Sequence, residues 1–415
     1  MAILQPYEKY YPVKYDYLAE LPDGWQLLPN IAIFRERKEK GTKNEELLSI
    51  VASRGVIKTS DYELKKDRST EDKSEYLLIK EGDLAYNTML TWIGAYGYSQ
   101  YRGIVSPAYT VLKPIIKINP KFFHYQFRNN LYKNYSKRYA YGIMDVRLRL
   151  YYFHFKRMYS VVPPLEIQNR IVEYLDKKNS EIDKFIQNKE RLISLLEEQR
   201  KAFITQNIFH KISQIKPLKY LVSKVGSGVT PLGGANVYIS AGITFLRSQN
   251  IHFNELRLDD VAFISENIHF RMKSTKVKKN DVLLNITGAS IGRCCAIENN
   301  IDANVNQHVC IIRPKKELDS KYLSYYLTST NVQSLIRNCQ DGASREGLSF
   351  SEIKSFPIPI INIEEQLDIV KIITKKEAEI DKVISKAKQE ISSIKEYRET
   401  LITDLVTGKR SIPQS

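Results

Sequence analysis

Two stretches of the chain return apolar residues at helical spacing. In the first they are Ile171, Leu175, Ile182, Ile186, Ile193, Leu196 and Phe203. In the second they are Ile369, Ile373, Ile380, Ile384, Ile391, Ile394 and Leu401. Steps of three and four that add to seven put them on one stripe, as in a coiled-coil seam. No proline or glycine falls between Pro164 and Pro217, or between Pro359 and Gly408. Proline before and glycine after are the expected punctuation of a helix. Each stretch is predicted to form a helix of roughly 43 residues, about 65 Å at 1.5 Å per residue. Such a helix cannot bury its stripe alone. The two stripes match in length and phase, so each is the expected partner of the other; packing against the preceding globular segment is the alternative.

The two stretches are copies. EIDKFI at 181–186 returns as EIDKVI at 379–384, and 166–205 matches 364–403 at 17 of 40 positions. The likeness extends upstream. EGDLAYNTMLTWIGAYG (81–97) parallels KNDVLLNITGASIGRCC (279–295) at the same offset of 198. SPAYTVLKP (106–114) parallels NQHVCIIRP (306–314), and KFFHYQF (121–127) parallels KYLSYYL (321–327), both after a slip of two. LYYFHFK (150–156) and LSFSEIK (348–354) are back at 198. The chain is a tandem duplication of a globular segment followed by a long helix. Its expected parts are a globular domain at 1–165, a helical segment at 166–215, a second globular domain at 216–362 and a second helical segment at 363–415. Within the globular parts AYTVLKP and HVCIIRP read as strands. KFFHYQFRNNLYKNYSKRYAYG and KYLSYYLTSTNVQSLIRNCQDG read as helices ended by glycine. VGSGVTPLGG (225–234) reads as a loop. The globular copies have diverged more than the helices, as one frame holding two different readers would.

Hydrophobic residues are 43% and charged residues 27%, ordinary for a soluble protein. No apolar run approaches the ~20 residues that cross a bilayer, and the N-terminus lacks the basic and apolar regions of a secretory signal. A cytoplasmic location is expected. The four cysteines, Cys294, Cys295, Cys310 and Cys339, form no CxxC pair and read as small buried hydrophobes.

The net charge of +16 is unevenly placed. Residues 166–208 carry eight basic and eight acidic side chains, and 363–409 nine and ten. The excess lies in the globular parts, and 102–157 alone holds twelve basic residues against one acidic. That stretch is also rich in Tyr and Phe. Lys and Arg neutralise phosphates, while aromatic rings and guanidinium groups stack on bases, so nucleic acid is the expected ligand. A membrane surface would want a helix with one basic face, and the long helices are balanced.

Catalytic motifs are missing. GSGVTPLGG lacks the lysine of a phosphate-binding loop. NPKF (119–122) is the nearest approach to the (N/D)PP(Y/F) of an adenine methyltransferase, with a lysine where proline is essential. Asp23, Glu36 and Lys38 satisfy a loose PD…ExK nuclease pattern, which occurs often by chance; two acids and a lysine could hold Mg²⁺ and activate water. The six histidines make no HxxxH or HExxH.

Taken together, two divergent globular halves, each followed by a helix opening PPLEIQNRIVEYLD or IEEQLDIVKII, resemble the specificity subunit of a type I restriction-modification system. The ending EYRETLITDLVTGK (396–409) matches the way such subunits close. LPDGWQLL, GDLAYNTMLTWIGAYG and GITFLRSQNI (242–251) resemble parts of their target-recognition domains. The second helix opens with PIINIEEQ, where the family commonly has Pro-Pro or Pro-Leu just ahead of Glu-Gln. The resemblance covers essentially the whole chain. It implies an α+β fold: two mixed target-recognition domains separated by two long antiparallel helices, a coiled-coil spacer with a pseudo-twofold repeat. Each domain would read one half of a split DNA sequence. Two methyltransferase subunits, and two restriction subunits, would dock on the frame. S-adenosylmethionine, ATP and Mg²⁺ would belong to those partners, with no cofactor or metal on this chain.

Base reading needs donor–acceptor side chains on loops. The candidates are Asn87, Thr88, Trp92, Ser106, Tyr109, Arg147 and Arg149 in the first half. In the second they are Ser227, Thr230, Arg247, Gln249, Asn250, Thr287, Ser290, Arg293 and Gln307, with Arg345 and Lys354 for phosphates. Asn87 and Asn285 occupy matched positions and could cap a turn instead. The rival functions are a standalone Mg²⁺-dependent nuclease and a non-catalytic protein adaptor.

Overall fold

The computed structural model describes residues 4–15, 17–42, 44–62, 73–142, 148–210, 214–339 and 347–412. The chain divides into two compact units: Met1–Asn188 with Gln389–Ser415, and Lys189–Lys388.

The first unit is built on an antiparallel sheet of β1 (Phe34–Glu36), β2 (Leu84–Asn87), β3 (Tyr96–Tyr98) and β4 (Tyr109–Pro114), in the order β1-β4-β2-β3. Side chains alternate between its faces. Leu84, Tyr86 and Leu112 point into a large core with α1 (Pro120–Arg128) and α2 (Asn130–Tyr139). Ala85, Tyr109 and Val111 enter a smaller core with the hairpin of Leu48–Val51 and Gly55–Lys58. Both faces are therefore covered, which is why the strands read as nearly unbroken apolar runs. The helix α3 (Leu165–Phe209) begins in this unit and gives Ile171 and Leu175 to the large core.

The second unit repeats the sheet with β5 (Val222–Ser227), β6 (Val282–Asn285), β7 (Cys294–Ala296) and β8 (Val309–Pro314), in the order β5-β8-β6-β7. Even the register is kept: Tyr109 faces Asn87 and Val309 faces Asn285. The slip of two residues arises between the third strand of each sheet and the next short strand, Gly103–Val105 or Ala303–Val305. The helices α4 (Ser320–Thr328) and α5 (Thr330–Asn338) repeat α1 and α2, and α6 (Ile363–Val406) repeats α3. Beyond the sheet the halves differ. Gly103–Val105 pairs antiparallel with Leu77–Ile79, whereas Ala303–Val305 pairs parallel with Ile243–Leu246.

The long helices run 45 and 44 residues, close to expectation. Each unit holds part of both, running antiparallel. In the first, Ile171 and Leu175 share a core with Leu405 and Leu401, and Asp183 meets Arg398. In the second, Ile204 and Ile208 share a core with Ile373, and Arg200 meets Asp381. The stripes thus serve both expected uses, pairing and packing on the globular part.

One repeated residue locks each helix start. The buried Gln168 accepts from the Asn119 amide at 2.8 Å and donates to the Pro163 carbonyl at 2.7 Å. Gln366 accepts from the Asp319 amide at 2.8 Å and donates to the Ile361 carbonyl at 3.0 Å. A buried ion pair repeats with a change of partner. Asp83 binds Arg37, and the matching Asp281 binds Arg313 on β8 instead.

Three expectations are corrected. The segments read as single helices are each two short ones. They break at Asn129, whose side chain accepts from the Tyr132 amide as an N-cap, and at the extended Ser329. Residues 225–227 of the expected loop belong to β5. Most aromatics of the basic stretch are not available for stacking. Phe122, Phe123, Phe127, Tyr132, Tyr135 and Phe155 fill the core of the first unit, where large rings bury the most area per residue.

Candidate nucleic-acid interface

In the first unit a cleft of about 680 Å³ opens beside the ends of β2 and β4. One wall is a loop fixed by its own strand ends. The Asn87 side chain accepts from the Met89 amide at 3.0 Å, so it shapes the turn. Thr88 donates to the Ala108 carbonyl at 2.9 Å, and the half-buried Trp92 to the Met89 carbonyl at 3.1 Å. Ser106 accepts from the Ala108 amide at 3.3 Å, and Tyr109 is buried. The other wall is basic and aromatic: Arg149, Tyr151, Phe153 and Lys156. Phe153 is 51% exposed, with the Arg157 guanidinium 4.1 Å and the Lys156 ammonium 5.0 Å from its ring centre. Arg149 is exposed and donates to the Tyr151 hydroxyl at 3.3 Å. An exposed ring clasped by cations suits a nucleic acid, the charges meeting phosphates and the ring a base. Arg37 also lines the cleft, but Asp83 holds it through two bonds, at 2.7 and 3.0 Å.

The second unit presents a different surface. Thr230 donates to Gln307, whose amide bonds His308 Nε2 at 2.9 Å, and His308 Nδ1 bonds the Thr287 hydroxyl at 2.6 Å. Four side chains from three segments thus form one polar strip, with Thr230 and Gln307 exposed. The Gly228 backbone lies so close to Val305 that a Cβ would meet its carbonyl oxygen at 1.8 Å, so only glycine fits there. Ser227 ends β5 half-buried, and Leu232, at the tip of the same loop, is 95% exposed.

A second group gathers on Asp260. Gln249 donates to it at 2.6 Å and Arg247 lies 3.7 Å away. Asn250 is buried; it accepts from the Arg247 amide at 2.9 Å and donates to the Arg257 and Asp260 carbonyls, so it folds the loop. Ser290 accepts from the buried Asn285 at 3.1 Å. Arg293 is half-buried, and Lys354 is exposed on the short helix Phe350–Ser355. Arg147 and Arg345 lie outside the described residues.

The nuclease pattern does not assemble. Asp23 lies beside Tyr7 and Arg170, while Glu36 and Lys38 line the cleft of Phe153. Among the described residues no three of His, Cys, Asp and Glu gather as a metal site. Burial pushes the Cys294 thiol up to about 11 and Cys310 to about 12, as for inert core cysteines. No helix among the described residues is long and apolar enough to cross a membrane.

Sequence comparison adds a match: residues 233–393 fit the family described as the type I restriction modification DNA specificity domain. Over these residues the chain is similar to a type I restriction-modification specificity domain. The matched residues take in β6, β7 and β8 of the second unit's sheet and much of α6, and leave out β5. The chain is also 24% identical over 276 residues to the type I restriction enzyme EcoBI specificity subunit of Escherichia coli. That match covers 60% of this chain and only 57% of the relative's length. The fold agrees with a chain from a structure of complex assembly and conformational transition in the type I R-M system. The TM-score is 0.75 at 14% identity, covering 94% of this chain and all of that one. The HsdS subunit from Thermoanaerobacter tengcongensis matches with a TM-score of 0.54 at 15% identity, over 96% and 99% of the two chains. The resemblance read from the repeat is borne out, with its α+β fold and long helices.

Phe153, Tyr151, Lys156, Arg157 and His308 were not among the sequence candidates. FHFKR carries the signal for the first group, an aromatic residue with cations three and four positions after it. Nothing local marks His308, whose bond to Thr287 spans 21 positions.

Proposed function

We propose that this chain is the non-catalytic DNA-specificity subunit of a type I restriction-modification complex, each globular half reading one half of a split duplex target. One observation carries this: the same sheet, register and helix lock occur twice, while the surfaces they hold up differ. The first half offers Phe153, Arg149, Lys156 and Arg157. The second offers Thr230, Gln307, His308 and Thr287, with Gln249 and Arg247 beside them. Identical frames with different faces suit two different half-sites. Of the earlier candidates, Thr88, Trp92, Arg149, Ser227, Thr230, Arg247, Gln249, Thr287, Arg293, Gln307 and Lys354 have some exposure and remain proposed contacts. Asn87, Tyr109 and Asn250 are proposed to position them.

The long helices are the proposed spacer and the docking surface for two methyltransferase and two restriction subunits. S-adenosylmethionine, ATP and Mg²⁺ would then be bound by those partners, and the complex would act in the cytoplasm. Binding of a duplex by the full chain, weakening steeply with salt and without cutting in Mg²⁺, tests this reading. Cutting by the lone chain would point to the nuclease, and no binding with or without partners to the adaptor.

A further inference from the structure

A second cavity of the first unit, about 350 Å³, lies where α1 and α2 face the two long helices. Its chemistry belongs neither to the sheet nor to the cleft of Phe153. Arg128 donates to His124 Nε2 at 2.6 Å and to the Ala52 carbonyl at 2.6 Å. Both partners are neutral. A guanidinium has no acceptor, so Nε2 accepts and the ring proton sits on Nδ1. Burial, then the Arg128 charge, hold His124 well below the ordinary histidine range, and the ring stays neutral. Burial also works against the Arg128 charge.

The residues lining this cavity carry four buried polar atoms with no partner among the described residues. His124 Nδ1, Arg128 Nε and Arg398 Nε are donors; Asn179 Oδ1 is an acceptor. The Asn179 amide cannot be turned round to help, because its Nδ2 donates to the Tyr125 hydroxyl, which itself donates to Asp176. Lys133 adds a further cation to the lining, and Glu399 and Asp183 add carboxylates, the latter bonded by Arg398.

The second unit fills the same position with different groups. His124, Arg128 and Lys133 correspond to Ser324, Thr328 and Gln333, and Asn179 to Glu377. There Asn254 Oδ1 accepts from Ser324 at 2.8 Å and Thr328 at 3.2 Å. Glu377 takes the Tyr325 hydroxyl at 2.7 Å, and Gln333 bonds two backbone carbonyls. In the second copy neutral and acidic groups take these places, and Arg200 Nε, the counterpart of Arg398 Nε, is likewise buried without a partner among the described residues. The first copy has become cationic and keeps unmet donors together with one unmet acceptor.

We propose that this cavity binds a phosphate that keeps a proton, either inorganic phosphate or the monoester of a small molecule. Its oxygens meet the Arg128 and Arg398 donors, and its one P–OH meets Asn179 Oδ1. A phosphodiester of DNA has no such proton at neutral pH, and neither has sulfate. The site is therefore separate from the DNA surfaces and independent of the function proposed above.

The test is calorimetric titration of the full chain with inorganic phosphate, and with sulfate at matched ionic strength. Saturable one-to-one binding is expected, at least tenfold tighter for phosphate. Arg128→Gln should weaken it tenfold or more, and Asn179→Leu should erase the preference over sulfate. Lys133→Ala, at a half-buried position, should weaken binding several-fold and serves if Arg128→Gln does not fold. Competition by glycerol phosphate assigns the site to monoesters, and its failure assigns it to free phosphate. No saturable binding, equal binding of sulfate, or a folded Arg128→Gln that binds as well as the parent would overturn the proposal.

Discussion

Arg398 bonds the carboxylate of Asp183 in the first unit, tying the end of one long helix to the middle of the other. Shifted by 198 residues the same two positions are Arg200 and Asp381, and they bond in the second unit. The repeat therefore exchanges which helix gives the cation and which the anion. Both aspartates are more than half exposed, so each pair contributes only about 0.2–1 kcal/mol. Asp183→Ala and Asp381→Ala should each cost that little by denaturant titration, and nearly additively, since they lie in separate units. A loss above about 2 kcal/mol from either would show that these pairs hold the helices together.

Gln168 and Gln366 are expected to matter far more. Each ties a buried amide and a buried carbonyl at the start of a long helix. Gln168→Leu leaves both backbone groups unpaired, at about 1–3 kcal/mol each. A thermal melt should show a lowered midpoint for either variant, with Gln366→Leu doing comparable damage.

The cleft of Phe153 should act through charge and stacking. Lys156→Ala should reduce the slope of log affinity against log salt by about 1 if its ammonium meets a phosphate. Phe153→Ala should weaken binding by about 1–3 kcal/mol if the ring stacks on a base, while leaving the salt slope alone. Fluorescence anisotropy across a salt series separates the two effects.

Gln307 sits at the centre of the polar strip, between Thr230 and His308. Gln307→Ala is expected to relax discrimination at one or two base pairs of a single half-site by about 1–3 kcal/mol. Selection from a randomised duplex pool reads this directly. Relaxation in both half-sites at once would mean that the strip does not read bases.

Glu377 gives a pH signature. Burial raises its carboxyl pKa, against the lowering bonds from Tyr325 and Asn254 and the nearby Arg200 charge. A raised folded-state pKa means that the folded protein holds the proton more tightly. That stabilisation is complete below the unfolded value and is lost as pH rises through the folded one. Glu377→Gln has no charge to bury, so its melting temperature relative to the parent should climb as pH rises past the ordinary glutamate pKa of about 4.3 and through the raised folded-state value. A flat difference would show the carboxylate to be well solvated.

The long helices were legible because nothing interrupts their period, and the duplication because seams and helix locks tolerate little change. The breaks at Asn129 and Ser329 were not, since neither residue is a proline or glycine; Asn129 acts through a cap that only the fold displays, and Ser329 turns its hydroxyl back to the Tyr326 carbonyl. In the basic stretch aromatics occupy nearly every face, so periodicity could not separate the buried Phe127 from the exposed Phe153, which lies in a helix too short to show a period. Loop candidates divided by a rule invisible in sequence. Thr230 and Gln307 met across 77 positions, whereas Asn250 turned inward to satisfy its own loop.

The most direct measurement is methylome sequencing of a host that expresses this chain with its methyltransferase subunit. A split motif with a methylated adenine in each half is predicted, and exchange of residues 216–362 for those of a relative should change one half-site only. No new methylated motif, with the same methyltransferase active beside another specificity subunit, would contradict the account.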